Sequence, residues 1–238
     1  MSTRKTLLTS ALTVALLMTG GAAAHADSTA SAASGPGCTN TAKMPVGAVT
    51  GPISDVDQDG RADTQFYGEG NGRYVYGIRT AAGGVYTIAD TLRGLRAHSG
   101  FTAYLLGSGV VSVIDDKETA KLYAFRNCRF VQPQHKTGGA YTFALGAKST
   151  SGTGIACNDQ NGGPILERAT AKKRANGRYD ILWSTVRVSD DGKIAYRQTG
   201  TGSTDVRWSN LKASDTRVRD ARASHCIGVV KKVTASTE

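Results

Sequence analysis

Asp55-Val56-Asp57-Gln58-Asp59-Gly60-Arg61-Ala62-Asp63 leads without a break into Thr64-Gln65-Phe66-Tyr67. Carboxylates at loop positions 1, 3, 5 and 9 can converge on one hard cation when the chain wraps around it. Gly60 permits the sharp turn, and the Arg61 carbonyl is expected to supply a further oxygen. An EF-hand would place a bidentate Glu at position 12, where this chain has Phe66, and a helix where it has Thr64–Tyr67. The stretch therefore reads as a calcium loop inside a β-hairpin. The competing reading is a solvated acidic turn, but four carboxylates at this spacing repel one another without a cation.

Outward from the loop, short runs rich in Val, Ile, Tyr and Thr alternate with Gly, Asp and Asn turns. Candidate strands are Thr64–Tyr67, Arg73–Arg79, Gly84–Ile88, Thr102–Leu106, Val110–Ile114, Lys121–Phe125, Tyr141–Leu145, Ile165–Ala171, Tyr179–Ser189 and Ile194–Gln198. Ser189-Asp190-Asp191-Gly192-Lys193 reads as a hairpin turn. Leu92–Leu95 allows one helical turn, and no other segment beyond the N-terminal apolar run has helical periodicity. With 29 Gly, only 5 Pro and 39% hydrophobic residues, the 238-residue chain can bury a core of many tight turns, which excludes disordered and collagen-like classes. The expectation is an all-β protein.

The loop has distant echoes. An offset of 104 carries the four acidic positions onto Asp159, Asn161, Gly163 and Glu167, a degenerate second metal site. Half that offset falls on Gly107-Ser108-Gly109, a turn without ligands. The chain thus reads as a repeat of roughly 50 residues. Four cysteines (Cys38, Cys128, Cys157, Cys226) with no C-x-x-C spacing point to two structural disulfides in an exported chain, with three pairings open. Repeat boundaries favour Cys128–Cys157, which leaves Cys38–Cys226.

The D-x-D-x-D-G-x-x-D loop opening a strand resembles the calcium loop of FG-GAP and VCBS repeats, which build integrin-α-like β-propellers. The wider pattern is similar to small secreted actinobacterial proteins of that family. It comprises Thr119-Ala120-Lys121-Leu122-Tyr123-Ala124-Phe125 before Cys128, Tyr141-Thr142-Phe143, and Gly152-Thr153-Gly154-Ile155-Ala156-Cys157. The resemblance covers about residues 48 to 230. It implies calcium on Asp55, Asp57, Asp59 and Asp63 and a small or partial propeller, with a β-sandwich as the alternative. It implies fold and metal rather than an activity.

At the N-terminus, Arg4 and Lys5 precede the apolar run Leu7–Met18 and the Ala24-His25-Ala26 pattern of a signal peptide. Cleavage after Ala26 is expected to leave a lead-in at 27–46, a β-repeat domain at 47–234 and no membrane span. The chain carries a net charge of +10, with basic runs at Lys172-Lys173-Arg174, Arg178, Arg217, Arg219, Arg222 and Lys231-Lys232. These suit either a solvated face or a binder of anionic wall polymer, nucleic acid or glycan. Trp183 and Trp208 suit either the core or a sugar platform.

Catalysis finds less support. Cys157-Asn158-Asp159-Gln160-Asn161-Gly162-Gly163-Pro164 is similar to the nucleophile segment of trypsin-like proteases, but an amide stands where the nucleophile belongs. His98, His135 and His225 adjoin no nucleophile elbow. A metal-dependent hydrolase built on the clustered loop carboxylates is the enzymatic alternative, and Asp115, Asp116, Glu118 and Glu167 are the acids from which a glycosidase would draw its facing pair. The leading expectation is a secreted, non-catalytic, calcium-binding recognition module for an extracellular ligand.

Overall fold

Among the described residues, the short alternating runs pair into three open, mostly antiparallel sheets. The computed structural model describes residues 37–70, 72–92, 98–146, 152–160, 163–198, 204–226 and 231–235. The signal segment, residues 27–36 of the lead-in, Leu95 and Asn161 lie outside them. The first sheet is a meander of β1 (Val49–Ile53), β2 (Asp63–Gly70), β3 (Arg73–Arg79) and β4 (Val85–Ala89). The second orders β16 (Val233–Thr234), β5 (Ser99–Leu105), β6 (Gly109–Asp115), β7 (Thr119–Arg126) and β8 (Arg129–Val131), with β9 (Thr142–Ala144) also on β7. The third orders β13 (Ala195–Arg197), β12 (Tyr179–Val188), β11 (Gly163–Lys173), β10 (Thr153–Gln160) and β15 (Ser224–His225), with β14 (Thr204–Leu211) also on β12. All ten expected strands fall on observed ones. Among the described residues, one helix, α1 (Thr216–Asp220), departs from the expectation. Five residues cannot display a 3.6-residue period, and Asp215 caps it by accepting from the Arg217 N–H.

The period-2 alternation of the second sheet decides the packing. Phe101, Ala103, Leu105, Val111, Val113, Leu122 and Ala124 face Ile155, Cys157, Leu166, Val186 and Val188 of the third sheet. The alternate positions Ile114 and Tyr123 face Tyr67, Tyr76 and Ile88 of the first. The second sheet is therefore buried on both sides, which is why β6 reads as a continuous apolar run rather than an alternation. Gln65, wholly buried between the first two sheets, accepts from Tyr76 Oη at 2.7 Å and the Thr102 N–H at 2.8 Å. It also donates to the Lys231 carbonyl at 2.6 Å. Its polar atoms are satisfied, so its burial carries no orphan penalty. No helix among the described residues is long and apolar enough to cross a membrane.

The two disulfides form, but in a different pairing from the one expected. Cys38 bonds Cys128, and Cys157 bonds Cys226. The reason is the middle sheet. Cys128 packs with Cys38, Ile53, Val56 and Phe125 on the side of the first sheet, whereas Cys157 lies in the core shared with the third. Cys128 and Cys157, the expected partners, are thus on opposite sides of a buried layer. Within the expected lead-in, residues 37–40 are pinned to the first sheet. Asn40 exchanges side-chain bonds with the Val85 backbone at 2.8 and 2.9 Å, and Thr80 Oγ1 donates to the Cys38 carbonyl at 2.6 Å.

Candidate metal centre

Each sheet begins its antiparallel run with a hairpin, and the three hairpins differ in slack. Ile53 pairs with Asp63, leaving the nine residues 54–62 between β1 and β2. Nine residues are enough to fold back on themselves. Asp55 starts the wrap, its Oδ1 accepting from the Asp59 N–H at 3.2 Å and its Oδ2 from the Gly60 N–H at 2.7 Å. Gln58 (φ 61) and Gly60 (φ 87) take left-handed conformations to complete it. Asp63, the first residue of β2 and only 2% exposed, closes the far side. Its Oδ2 accepts from the Val56 N–H at 2.7 Å and its Oδ1 from the Ala81 N–H at 2.8 Å. Asp57 reaches the other way, its Oδ2 accepting from the Cys38 N–H at 2.5 Å.

Asp55, Asp57 and Asp63 each offer one carboxylate oxygen, and these oxygens lie within 4.8 Å of one another. At an effective dielectric of about 20, unit charges 4.8 Å apart repel by roughly 3.5 kcal/mol per pair, and closer ones by more. The Asp57 Oδ1 is buried and has no hydrogen-bond partner. The Asp63 carboxyl is pushed above the usual range, first by burial and further by the Asp57 and Asp55 charges, while its two backbone N–H bonds pull it down. Carboxylate oxygens bind hard cations, and one oxygen can take a metal and an N–H together.

Asp59 differs from the expectation. Its Oδ2 accepts from Arg61 Nη2 at 2.6 Å and Nε at 3.1 Å, and its Oδ1 accepts from the Arg61 N–H at 2.9 Å. The guanidinium holds the Asp59 carboxyl below its ordinary value. What Arg61 brings to the loop is thus a side chain that takes Asp59 out of the carboxylate cluster. Asp59 also closes the loop against Gly37 (φ 67), where an added Cβ would stand 2.9 Å from its Oδ2.

The degenerate second site does not assemble in the same manner. Gln160 pairs with Gly163, so only two residues separate β10 from β11, and Leu105 pairs with Gly109 across three. Asp159 pairs with Pro164, whereas Glu167 pairs with Ala156, three rungs along. Three rungs are about 10 Å, and an odd step puts position 167 on the opposite face from position 164. Glu167 is buried and accepts from Asn158 Nδ2; burial chiefly raises its carboxyl. Asn161 lies outside the described residues. Among the described residues, Asp55, Asp57 and Asp63 are the group with metal-holding geometry.

Several of the other candidates have partners within the fold. Asp115 Oδ2 accepts from Lys232 Nζ at 2.8 Å, and Asp116 Oδ1 accepts from the Glu118 and Thr119 N–H groups. His98 bonds Asp90, and His135 lies against Tyr141. Trp183 and Trp208 are partly buried beside the outer core of the third sheet, with the Arg207 guanidinium 4.6 Å over the Trp183 ring. Of the basic runs, Arg174 pairs with Asp180, Arg217 with Asp215 and Arg219 with Asp220. The chain matches no family model, no curated protein and no solved structure.

Proposed function

We propose that the chain is a secreted, non-catalytic, calcium-binding β-repeat module for extracellular recognition, exported by its N-terminal signal segment and oxidised outside the cell. The observation that carries the metal reading is the buried, unpartnered Asp57 Oδ1 beside the oxygens of Asp55 and Asp63. Ca²⁺ suits this set best, because it accepts carboxylate and carbonyl oxygens in a flexible shell of six to eight. Asp55, Asp57 and Asp63 would hold it, and its charge would offset their mutual repulsion. The FG-GAP/VCBS reading draws support from the equivalent placement of the three hairpins, each joining the first two strands of a meander. We read the three open sheets as a partial propeller whose first repeat alone retains the metal.

The same loop argues for a structural ion. Its carboxylates are held by backbone N–H groups of one hairpin and its neighbours, and no histidine of another element joins them among the described residues. Melting the protein with Ca²⁺ and then with EDTA tests the reading. Saturation at about 100 times Kd adds roughly 2.7 kcal/mol, and Asp57→Ala removes that increment. A parent protein whose melting ignores Ca²⁺ would exclude the site.

A further inference from the structure

Between the second and third sheets, away from the metal loop, lies a cleft of about 650 Å³. Its lining brings together Lys117, Arg219, Arg222, Lys232, Asp115 and Ser224. Four cations against one carboxylate leave a net charge of +3, or +2 once Asp220 on Arg219 is included. The carboxylate is already committed. Asp115, 2% exposed, accepts from Lys232 Nζ at 2.8 Å and from Ser99 Oγ at 3.1 Å.

Arg222 is the unusual member. It is only 9% exposed, yet its Nε and Nη2 have no hydrogen-bond partner, and no acidic side chain pairs with it among the described residues. Ser224 Oγ, two residues on, is buried and equally unpartnered. Arg222 is nevertheless held in place. Its carbonyl accepts from the Gly146 N–H at 2.7 Å, and its guanidinium sits 4.9 Å from the Tyr179 ring centroid. Its stem runs beside Gly152, where a Cβ would come within 2.8 Å of Arg222 Cγ. A buried guanidinium with open donors is unfavourable unless an anion completes it. Here the charge is fixed by stacking and packing, with no counter-charge paired to it among the described residues.

We propose that this cleft is an oxyanion site that takes a phosphate group, with Arg222 and Ser224 as donors to its oxygens and Lys117 and Lys232 at the rim. A guanidinium fork and a hydroxyl match a tetrahedral oxyanion, and the local excess of at least two positive charges favours a dianion over a carboxylate. The cleft is larger than one phosphate needs, so it also accommodates the organic or polymeric part of a phosphate ester. The site shares no residue with the metal loop.

Calorimetry on the full chain in calcium-free buffer, at fixed ionic strength, tests the proposal with inorganic phosphate, polyphosphate and acetate. Phosphate is expected to bind saturably at one site and acetate at least tenfold more weakly. Arg222→Lys keeps the charge but loses the fork, and Ser224→Ala removes one hydroxyl. Each is expected to weaken phosphate by about tenfold or somewhat less, as for a lost bond to a charged group. Lys193→Ala, on the exposed turn between β12 and β13 and outside the cleft's lining, leaves phosphate binding unchanged. Polyphosphate binding tighter than phosphate by more than its number of groups identifies a polymer as the source, and equal binding per group identifies a small phosphate ester. Phosphate heats that never saturate, or that are the same in Arg222→Lys, Ser224→Ala and the parent, overturn the proposal. Because calcium is absent throughout, neither result bears on the metal loop.

Discussion

The hairpin that opens the first sheet and the one that opens the third carry similar acids and do opposite things with them. In the first, nine residues separate Ile53 from its partner Asp63, and the chain has slack to bring three carboxylates within 4.8 Å. In the third, two residues separate Gln160 from Gly163, and the ladder stretches the matching positions along two strands. Oxygen-bearing side chains at matching sequence positions therefore do not suffice for a carboxylate cluster. The register on either side of the turn decides whether they meet.

The largest expected effect on this contrast comes from the disulfides, one beside each hairpin. Cys38–Cys128 closes a separation of 90 residues and Cys157–Cys226 one of 69. Replacing either pair by Ala is expected to cost about 4–5 kcal/mol in the chain-entropy account. Denaturant melts check that figure. Only the first replacement should also weaken calcium, because Cys38 donates its N–H to Asp57. Equal calcium affinity in both double variants would detach the first hairpin from its clamp.

A smaller effect separates the acids within the first loop. Asp57→Asn is expected to abolish the calcium response, whereas Asp59→Asn, which disturbs only the Arg61 pair, shifts calcium affinity no more than a few-fold. Isothermal titration of the two variants side by side reads the difference. If Asp59→Asn proves as damaging as Asp57→Asn, the loop rearranges on binding to recruit a fourth carboxylate.

The smallest effect is in pH. Burial is the leading cause that raises both Asp63 and Glu167. A raised carboxyl binds more protons folded than unfolded, so its stability contribution falls as pH rises from the unfolded pKa through the higher folded one. Calcium favours the ionised form of Asp63 and reverses that penalty, but leaves Glu167 untouched. Stability profiles across the acidic range should therefore change with calcium in the parent and not in Asp63→Asn. Glu167→Gln should remove the calcium-independent part. A calcium-dependent change that survives Asp63→Asn would break the contrast.

Much of the β-architecture was legible because the core is built by alternation. All ten strands read from Val, Ile, Tyr and Thr runs are present, and the acidic loop was found by its spacing. Six observed strands were not read: β1, β8, β10, β14, β15 and β16. Of these, β1 carries Gly51-Pro52, which masks its pattern and is tolerated at the sheet edge. α1 was too short to show a period. The disulfide pairing was illegible because it depends on which side of the middle sheet each cysteine faces. The partner of Asp59 was illegible for a related reason: spacing counts acids, but only the fold shows that Arg61 reaches back to pair with one. The unpaired charge of Arg222 left no signal at all, since its surroundings come from segments far apart in the chain.

The most direct test of the metal account is a crystal structure of the calcium-saturated protein with anomalous data. It should show one cation about 2.3–2.6 Å from oxygens of Asp55, Asp57 and Asp63, with Asp59 still on Arg61 and no cation at the turn between β10 and β11. A structure at saturating calcium with no ion among those three carboxylates would contradict the account.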